Sequence, residues 1–309
     1  MPEIELLLAA PRGFCAGVRR AIDAVSDAID RHGAPVYVRR PIVHNLAVVR
    51  RLEAQGAIFV EELDQVPRGA VVLLSAHGVA PAVAEEAKAR GLVVYDAVCP
   101  LVAKVHREVE RHRRDGRHVL LIGHSGHPEI EGTLGRLPAD RATLVGSISD
   151  VEKLNIGADQ PAAYAVQTTY SVDDAAAIIS SLSARFSDLA APPASDICYA
   201  TTNRQAAIRT IAARADAVIV VGERFSSNAN RLAEVAATHC GSVQLVAQAS
   251  ELEWSRLPVN GTIGVTAAAS APEESVTEIL ASLADRRRLR IREVSVTDES
   301  ISFRRVNIG

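Results

Sequence analysis

No stretch of this 309-residue chain is apolar for long enough to read as a membrane span; core-like runs such as Ala70–Leu74 and Ala217–Val221 stop well short of the ~18 residues a span needs. Positive charge is missing near the N-terminus, where Glu3 and Glu5 stand in place of the basic segment of a secretory signal, so a cytoplasmic protein is expected. An excess of basic residues is missing as well: the formal net charge is −3, which excludes the electrostatic footprint of a nucleic-acid binder. Lysine is scarce, with only Lys88, Lys104 and Lys153 among 34 basic side chains, a bias we assign to coding rather than function. Cysteine is scarce too. The four, at positions 15, 99, 198 and 240, form no CxxC pair, which excludes zinc-ribbon and thioredoxin-like readings, and a disulfide framework is not expected in an intracellular chain of this length. Taken singly, each reads as a small buried hydrophobe. What is present is an ordinary globular composition, 48% hydrophobic and 23% charged, which excludes disorder and supplies enough apolar side chains for two or three domains.

Short apolar runs alternate with helical patterns along the whole length, the signature of βαβ units and parallel sheets. Glycine closes the helices predicted over Ala21–His32, Val48–Gln55 and Ala82–Arg90, at Gly33, Gly56 and Gly91. Self-similarity is more informative. Three times a strand leads to a cysteine and then a helix: Ile4–Ala10 to Gly13-Phe14-Cys15-Ala16-Gly17, Val93–Asp96 to Cys99-Pro100, and Asp196-Ile197 to Cys198. About 30 residues beyond each cysteine comes a polar turn, at Val43-His44-Asn45, Gly126-His127-Pro128-Glu129 and Ser226-Ser227-Asn228. A third turn follows a further strand, at Ser75-Ala76-His77-Gly78, Gln167-Thr168-Thr169 and Ala269-Ser270.

The repeat divides the chain into α/β units over residues 1–97, 98–195 and 196–286, the second boundary running through Ala190–Ala194 with its Pro192-Pro193. Residues 287–309 read as a tail of two short strands returning to the first unit. Ligands of open α/β sheets bind outside the carboxyl ends of the strands, so three strand-end cysteines ringed by His, Thr, Ser and Asn make one candidate site. Three thiolates around one centre suit a metal group with one open position. A three-cysteine iron–sulfur cubane leaves one iron free for substrate, as catalytic zinc keeps a fourth position open.

Other residues carry simpler explanations. Cys240, in Thr238-His239-Cys240-Gly241, lies outside the repeat and reads as structural. Ser270-Ala271-Pro272-Glu273 and Ser171-Val172-Asp173-Asp174 are helix-capping patterns, although a capped helix N-terminus can also bind an anion. Arg111–Arg114 and Arg286–Arg288 read as solvated helix ends. Two rival functions compete with an iron–sulfur enzyme: a transferase using Cys15 as a nucleophile activated at a helix start, and a non-catalytic iron–sulfur sensor or interaction protein.

The motifs Gly13-Phe14-Cys15-Ala16-Gly17-Val18, Ser75-Ala76-His77-Gly78-Val79, Cys99-Pro100-Leu101-Val102, Gly126-His127-Pro128-Glu129, Gln167-Thr168-Thr169, Cys198-Tyr199-Ala200-Thr201-Thr202-Asn203-Arg204-Gln205 and Ser226-Ser227-Asn228 resemble, in order, those of the 4-hydroxy-3-methylbut-2-enyl diphosphate reductases, the IspH/LytB family. The resemblance implies an α/β fold, a three-lobed trefoil of pseudo-threefold related parallel-sheet units around one central [4Fe–4S] cluster. It implies the last step of the methylerythritol phosphate route to isoprenoids: a two-electron, two-proton dehydroxylation of an allylic diphosphate, whose hydroxyl binds the open iron, to isopentenyl and dimethylallyl diphosphates. Cys15, Cys99 and Cys198 match the cluster ligands, and His44, His77, His127, Thr168, Ser226, Ser227, Asn228 and Ser270 match substrate-binding positions. Glu129 matches the proton donor, with His127 and Thr168 in the same catalytic set. The implied partner is an external electron donor such as ferredoxin or flavodoxin with its reductase, with no nucleic acid and no membrane. The pattern departs from the family at Val98, where threonine is usual, at Ala229, where serine is common, and in the lead Glu223-Arg224-Phe225. It departs again at Ala267-Ala268-Ala269, which usually holds glycine at 268 and where alanine disfavours positive φ.

Overall fold

The computed structural model describes residues 2–309. In chain order it runs β1 (Glu3–Ala10), α1 (Ala16–His32), β2 (Val36–Arg39), α2 (Leu46–Gln55), β3 (Ala57–Val60), β4 (Val71–Leu74), α3 (Pro81–Ala89) and β5 (Val93–Asp96). It continues through α4 (Pro100–Arg114), β6 (His118–Ile122), α5 (Pro128–Leu134), β7 (Ala142–Val145), α6 (Ile148–Glu152), β8 (Ala162–Val166), α7 (Val172–Arg185) and β9 (Leu189–Ala190). The remainder is α8 (Tyr199–Ala212), β10 (Ala217–Val221), α9 (Ser227–Ala237), β11 (Val243–Val246), β12 (Gly261–Ala267), α10 (Glu273–Ala284) and β13 (Arg288–Ser295). The predicted helices are present, with Gly33, Gly56 and Gly91 at positive φ behind α1, α2 and α3, the conformation that ends a helix without a Cβ penalty. No helix among the described residues is long and apolar enough to cross a membrane.

The chain forms two compact units. The first comprises Met1–Arg19, His44–Val48 and Tyr199–Ser302; the second comprises Arg20–Val43, Val49–Cys198 and Phe303–Gly309. The first holds one five-stranded sheet in the order β11-β10-β12-β1-β13, the second two four-stranded sheets, β3-β2-β4-β5 and β7-β6-β8-β9. Every strand pair is parallel. Parallel strands covered on both faces are apolar without alternation, and β6 (HVLLI) and β10 (AVIVV) are buried at every position.

The first unit packs Ile4, Leu6 and Leu7 of β1 with Ile219, Ile263, Leu232, Ile279 and Leu283 in one core. β1, the first strand of the chain, therefore lies between β12 and β13, the last two. The tail contributes one strand, β13, rather than the two expected, and no strand follows it among the described residues. β13 is a sheet edge studded with Arg288, Arg290 and Arg292, charges that oppose pairing with another chain. Arg286–Arg288 is not a solvated helix end either: Arg287 is buried, and the Arg286 guanidinium lies 4.2 Å over the Trp254 ring, where a cation is drawn to the aromatic face.

One close approach in this unit is exacting. A Cβ at Gly222, just past β10, would stand 2.7 Å from the Ala229 Cβ and 3.1 Å from the Ala268 Cβ. Gly222→Ala should lower stability by about 1–3 kcal/mol in denaturant unfolding, and adding Ala268→Gly should recover part of that loss.

Candidate functional site

All the candidate side chains follow the carboxyl ends of strands, where the backbone leaves a parallel sheet and turns toward a helix. Each repeat cysteine sits just before a helix: Cys15 before α1, Cys99 as the N-cap of α4, Cys198 before α8. Each also makes the same backbone bond. The Cys15 N–H donates to Ala269 O (3.4 Å), Cys99 N–H to Ala76 O (3.0 Å) and Cys198 N–H to Thr168 O (3.0 Å). Thus each cysteine is tied to one of the three turns of the third kind. None of the four cysteines is in a disulfide; Cys15, Cys99 and Cys198 are partly exposed, whereas Cys240 is buried with its thiol toward Ala215 O and Ser242 O. Partial exposure leaves the three repeat thiols accessible to a ligand, while Cys240 is a satisfied core group.

In the first unit, Cys15 stands with the serine turns and His44. The Val18 N–H points at Cys15 Sγ (3.4 Å), and the Ala16 N–H donates to the Tyr199 hydroxyl (3.0 Å), whose pKa is pushed up to about 12, chiefly by burial. Ser226 is the N-cap of α9, its Oγ accepting from the Ala229 N–H and lying 3.3 Å from Ser270 Oγ. Asn228 Oδ1 accepts from the Ala269 N–H (2.9 Å), but its Nδ2 is a buried donor with no partner. An amide donor stranded in this way calls for an acceptor from a ligand. Ser227 opens α9. Ser270 is not a cap, since Pro272 is the N-cap of α10; Ser171 does cap α7, accepting from the Asp174 N–H.

His44 packs edge-on against Phe225 (5.9 Å between ring centres), and burial lowers its pKa, so the ring is held neutral. Glu223 accepts from the Leu46 N–H at the start of α2. The unusual Glu223-Arg224-Phe225 lead therefore supports the His44 segment, a role without a signal in the sequence. Ala229 and Ala268 both line Gly222. None of Ala267–Ala269 has positive φ; among the described non-glycine residues only Arg40 does.

In the second unit, Cys99 and Cys198 stand with His77, His127, Glu129 and Thr168. His127 is extended (φ −76°, ψ 132°) before Pro128 and is the N-cap of α5. Its Nδ1 accepts from the Glu129 N–H (3.2 Å), so in the neutral ring Nε2 carries the proton and is the donor. The His77 ring meets that of His127 edge to face (5.8 Å), and His77 Nδ1 lies 3.3 Å from Ser75 Oγ.

Glu129 is buried in the first turn of α5. Its two oxygens are gripped by one residue: Oε1 accepts from the Thr168 N–H (2.7 Å) and Oε2 from the Thr168 hydroxyl (2.7 Å). Burial pushes its pKa up to about 7; the Thr168 bonds oppose this, and the charge of Asp196 adds to it. A buried carboxyl that keeps its proton near neutral pH is suited to general acid work. Among the described residues no three His, Cys, Asp or Glu side chains are gathered to hold a single metal ion.

Similarity to known proteins runs along nearly the whole chain. The sequence profile described as LytB protein matches residues 6–284. The chain is 50% identical over 304 residues to a 4-hydroxy-3-methylbut-2-enyl diphosphate reductase of Beijerinckia indica, covering 98% of this chain and 95% of that one. A protein of the same name from Burkholderia pseudomallei is 50% identical over 301 residues, covering 97% and 96%. The structure of the E-1-hydroxy-2-methyl-but-2-enyl-4-diphosphate reductase from Plasmodium falciparum superposes with a TM-score of 0.93 at 36% identity, covering 98% of this chain and 96% of that chain. A second solved structure, of an (E)-4-hydroxy-3-methyl-but-2-enyl diphosphate reductase described as the terminal enzyme of the non-mevalonate pathway, superposes with a TM-score of 0.65 at 28% identity, covering 92% and 100%. With half its residues shared across almost the full length of such relatives, the chain belongs to the LytB family.

Proposed function

We propose that the protein reductively removes the hydroxyl of (E)-4-hydroxy-3-methylbut-2-enyl diphosphate, giving isopentenyl and dimethylallyl diphosphates, the last step of the methylerythritol phosphate route. The single observation that carries the reading, beside the family, is the buried Glu129 carboxyl held by Thr168 with its pKa pushed up to about 7. Hydroxide is a poor leaving group, and an acid that retains its proton at neutral pH lets the oxygen depart as water.

Cys15, Cys99 and Cys198 would hold one [4Fe–4S] cluster. Their shared placement, with partly exposed thiols at helix starts and N–H groups bound to strand-end turns, fits thiolate ligation, while the buried, hydrogen-bonded Cys240 does not. When bound, the cluster would supply electrons to the substrate and a Lewis-acidic iron with one position not taken by cysteine.

The remaining work falls to the chain's own side chains. Thr168, through a hydroxyl that both donates and accepts, would relay the proton of Glu129. The diphosphate would be held by neutral donors rather than an arginine clamp: the hydroxyls of Ser226, Ser227 and Ser270, the partnerless Nδ2 of Asn228, and His44, His77 and His127. The α9 N-terminus adds partial positive charge beneath Ser227. Electrons would come from an external redox protein such as ferredoxin or flavodoxin with its reductase, and the enzyme would work in the cytoplasm.

An anaerobic turnover assay with the allylic diphosphate and a strong reductant tests the activity directly; no product from iron-loaded protein would overturn it. Glu129→Gln should lose about 10²–10⁴-fold in kcat while retaining iron and substrate binding. A variant within a factor of about three of the unmodified protein would show that another group is the acid. For the unmodified protein, kcat should fall as pH rises through about 7, where Glu129 loses its proton.

The same shift governs stability. Between its ordinary value of 4.5 and about 7 the folded protein binds a proton at Glu129 that the unfolded chain has released. Glu129 therefore makes stability fall as pH rises across that window and adds no further slope above it. Denaturant midpoints measured through this range should show a shallower decline in Glu129→Gln. Asn228→Ala should weaken binding of the diphosphate by about 1.5–3 kcal/mol in calorimetry; unchanged affinity would contradict its place in the site.

A further inference from the structure

Each helix that follows a repeat cysteine carries a cation five or six residues on: Arg20 after Cys15, Lys104 after Cys99, Arg204 after Cys198. All three donate to backbone carbonyls, and Lys104 and Arg204 to a carboxylate as well. Arg20 donates through Nη1 to Ala97 O (3.2 Å) and Val98 O (2.9 Å), the two residues before Cys99. Lys104 Nζ donates to Ala194 O (2.8 Å), Ser195 O (3.0 Å) and Asp196 Oδ1 (3.2 Å), just ahead of Cys198. Arg204, with a fully buried side chain, donates to Gly13 O through Nε (3.1 Å) and Nη2 (2.7 Å), two residues before Cys15. The assignment is cyclic along the chain: the helix after the first cysteine serves the second, that after the second serves the third, and that after the third serves the first.

We propose that Arg20, Lys104 and Arg204 are equivalent positioning residues, each fixing the backbone that delivers one cysteine thiol. The proposal rests on the reading of Cys15, Cys99 and Cys198 as cluster ligands. The segments before the cysteines have left their sheets, so their carbonyls lack ladder partners, and charge-assisted bonds from a multi-donor cation satisfy several at once. The chemistry of each cation matches its acceptors. The three N–H bonds of an ammonium meet three oxygens around Lys104, one of only three lysines in an arginine-rich chain. The guanidinium of Arg204 forks onto one carbonyl and turns its other edge to Glu299 (2.9 Å). Arg20 Nε reaches a further carbonyl, Arg304 O (2.9 Å).

The N–H of each cysteine is held by a third-kind turn, so the cation supplies the second restraint, from the chain's upstream side. Groups that orient metal ligands typically alter metal affinity by about 10–100-fold when removed.

The test is local hydrogen exchange, read by mass spectrometry on the full-length chain with and without iron and sulfide loaded. In Lys104→Met carried together with Asp196→Asn, so that the buried Asp196 carboxylate is not stranded, amide exchange should rise about tenfold across residues 194–198 and keep its ordinary rate at 96–99 and 12–15, with Lys104→Arg alone keeping much of the protection. Arg20→Met should give the reciprocal pattern, faster at 96–99 and near residue 304, whose carbonyl Arg20 also holds, with 194–198 unchanged. In loaded protein each Met variant should release iron to a chelator about tenfold faster. Arg204 is tested together with its partner, as Arg204→Met with Glu299→Gln, so that no buried carboxylate is stranded. If that double variant fails to fold, Lys104 and Arg20 still decide the matter. Unchanged exchange ahead of Cys198 and Cys99 in their respective variants, or a uniform rise along the chain, overturns the proposal. A chain that takes up no iron, yet shows the local pattern, overturns the cluster reading and leaves the three cations as backbone clamps.

Discussion

A hydrogen bond from a cysteine N–H to a carbonyl in a strand-end turn occurs three times, and the candidate residues of each unit are arranged around it. The bond joins two strand ends of one sheet: β1 with β12, β5 with β4, and β9 with β8. Parallel pairing makes this possible, because neighbouring parallel strands present their carboxyl ends on the same side. The apolar cores behind those ends, such as Leu120 and Ile122 of β6 and Ile219 of β10, keep the strands in register while the turns remain free to be polar. Stability and chemistry are thereby separated along each strand, with the middle buried and the end functional.

Glu129 shows how the same arrangement sets a proton affinity. It follows β6 in the first turn of α5, where a helix N-terminus by itself favours a carboxylate. Burial overrides that preference and the two Thr168 bonds, leaving a carboxyl that holds a proton near neutrality. Thr168 spends its N–H and its hydroxyl on Glu129 and its carbonyl on the Cys198 N–H. One residue therefore connects the Glu129 carboxyl to the Cys198 backbone.

The repeat was legible in the sequence because its parts are local: a cysteine before a helix, a polar turn some 30 residues on, and a serine, threonine or histidine turn after the next strand. The insertion of β1 between β12 and β13 was not, since it depends on pairing between segments from opposite ends of the chain, which leaves no periodic trace. Ser270 and Ser171 head similar patterns, yet only Ser171 caps a helix; Pro272 takes the N-cap of α10 and leaves Ser270 beside Ser226. Arg204 falls within a family-like motif, but its bonds to Gly13 O and Glu299 are seen only in the fold, where its side chain is buried. The partnerless Nδ2 of Asn228 is equally silent in sequence. A periodic search for cations after each cysteine would have found Arg20, Lys104 and Arg204.

The proposed three-cysteine cluster is tested most directly by which thiols take iron. Iron and acid-labile sulfide should be measured per chain in anaerobically prepared protein and in the four single Cys→Ser variants. We expect about four of each in the unmodified protein and in Cys240→Ser, and severe loss in Cys15→Ser, Cys99→Ser and Cys198→Ser. Near-normal content after losing any of the first three cysteines, or loss on changing Cys240, would contradict it.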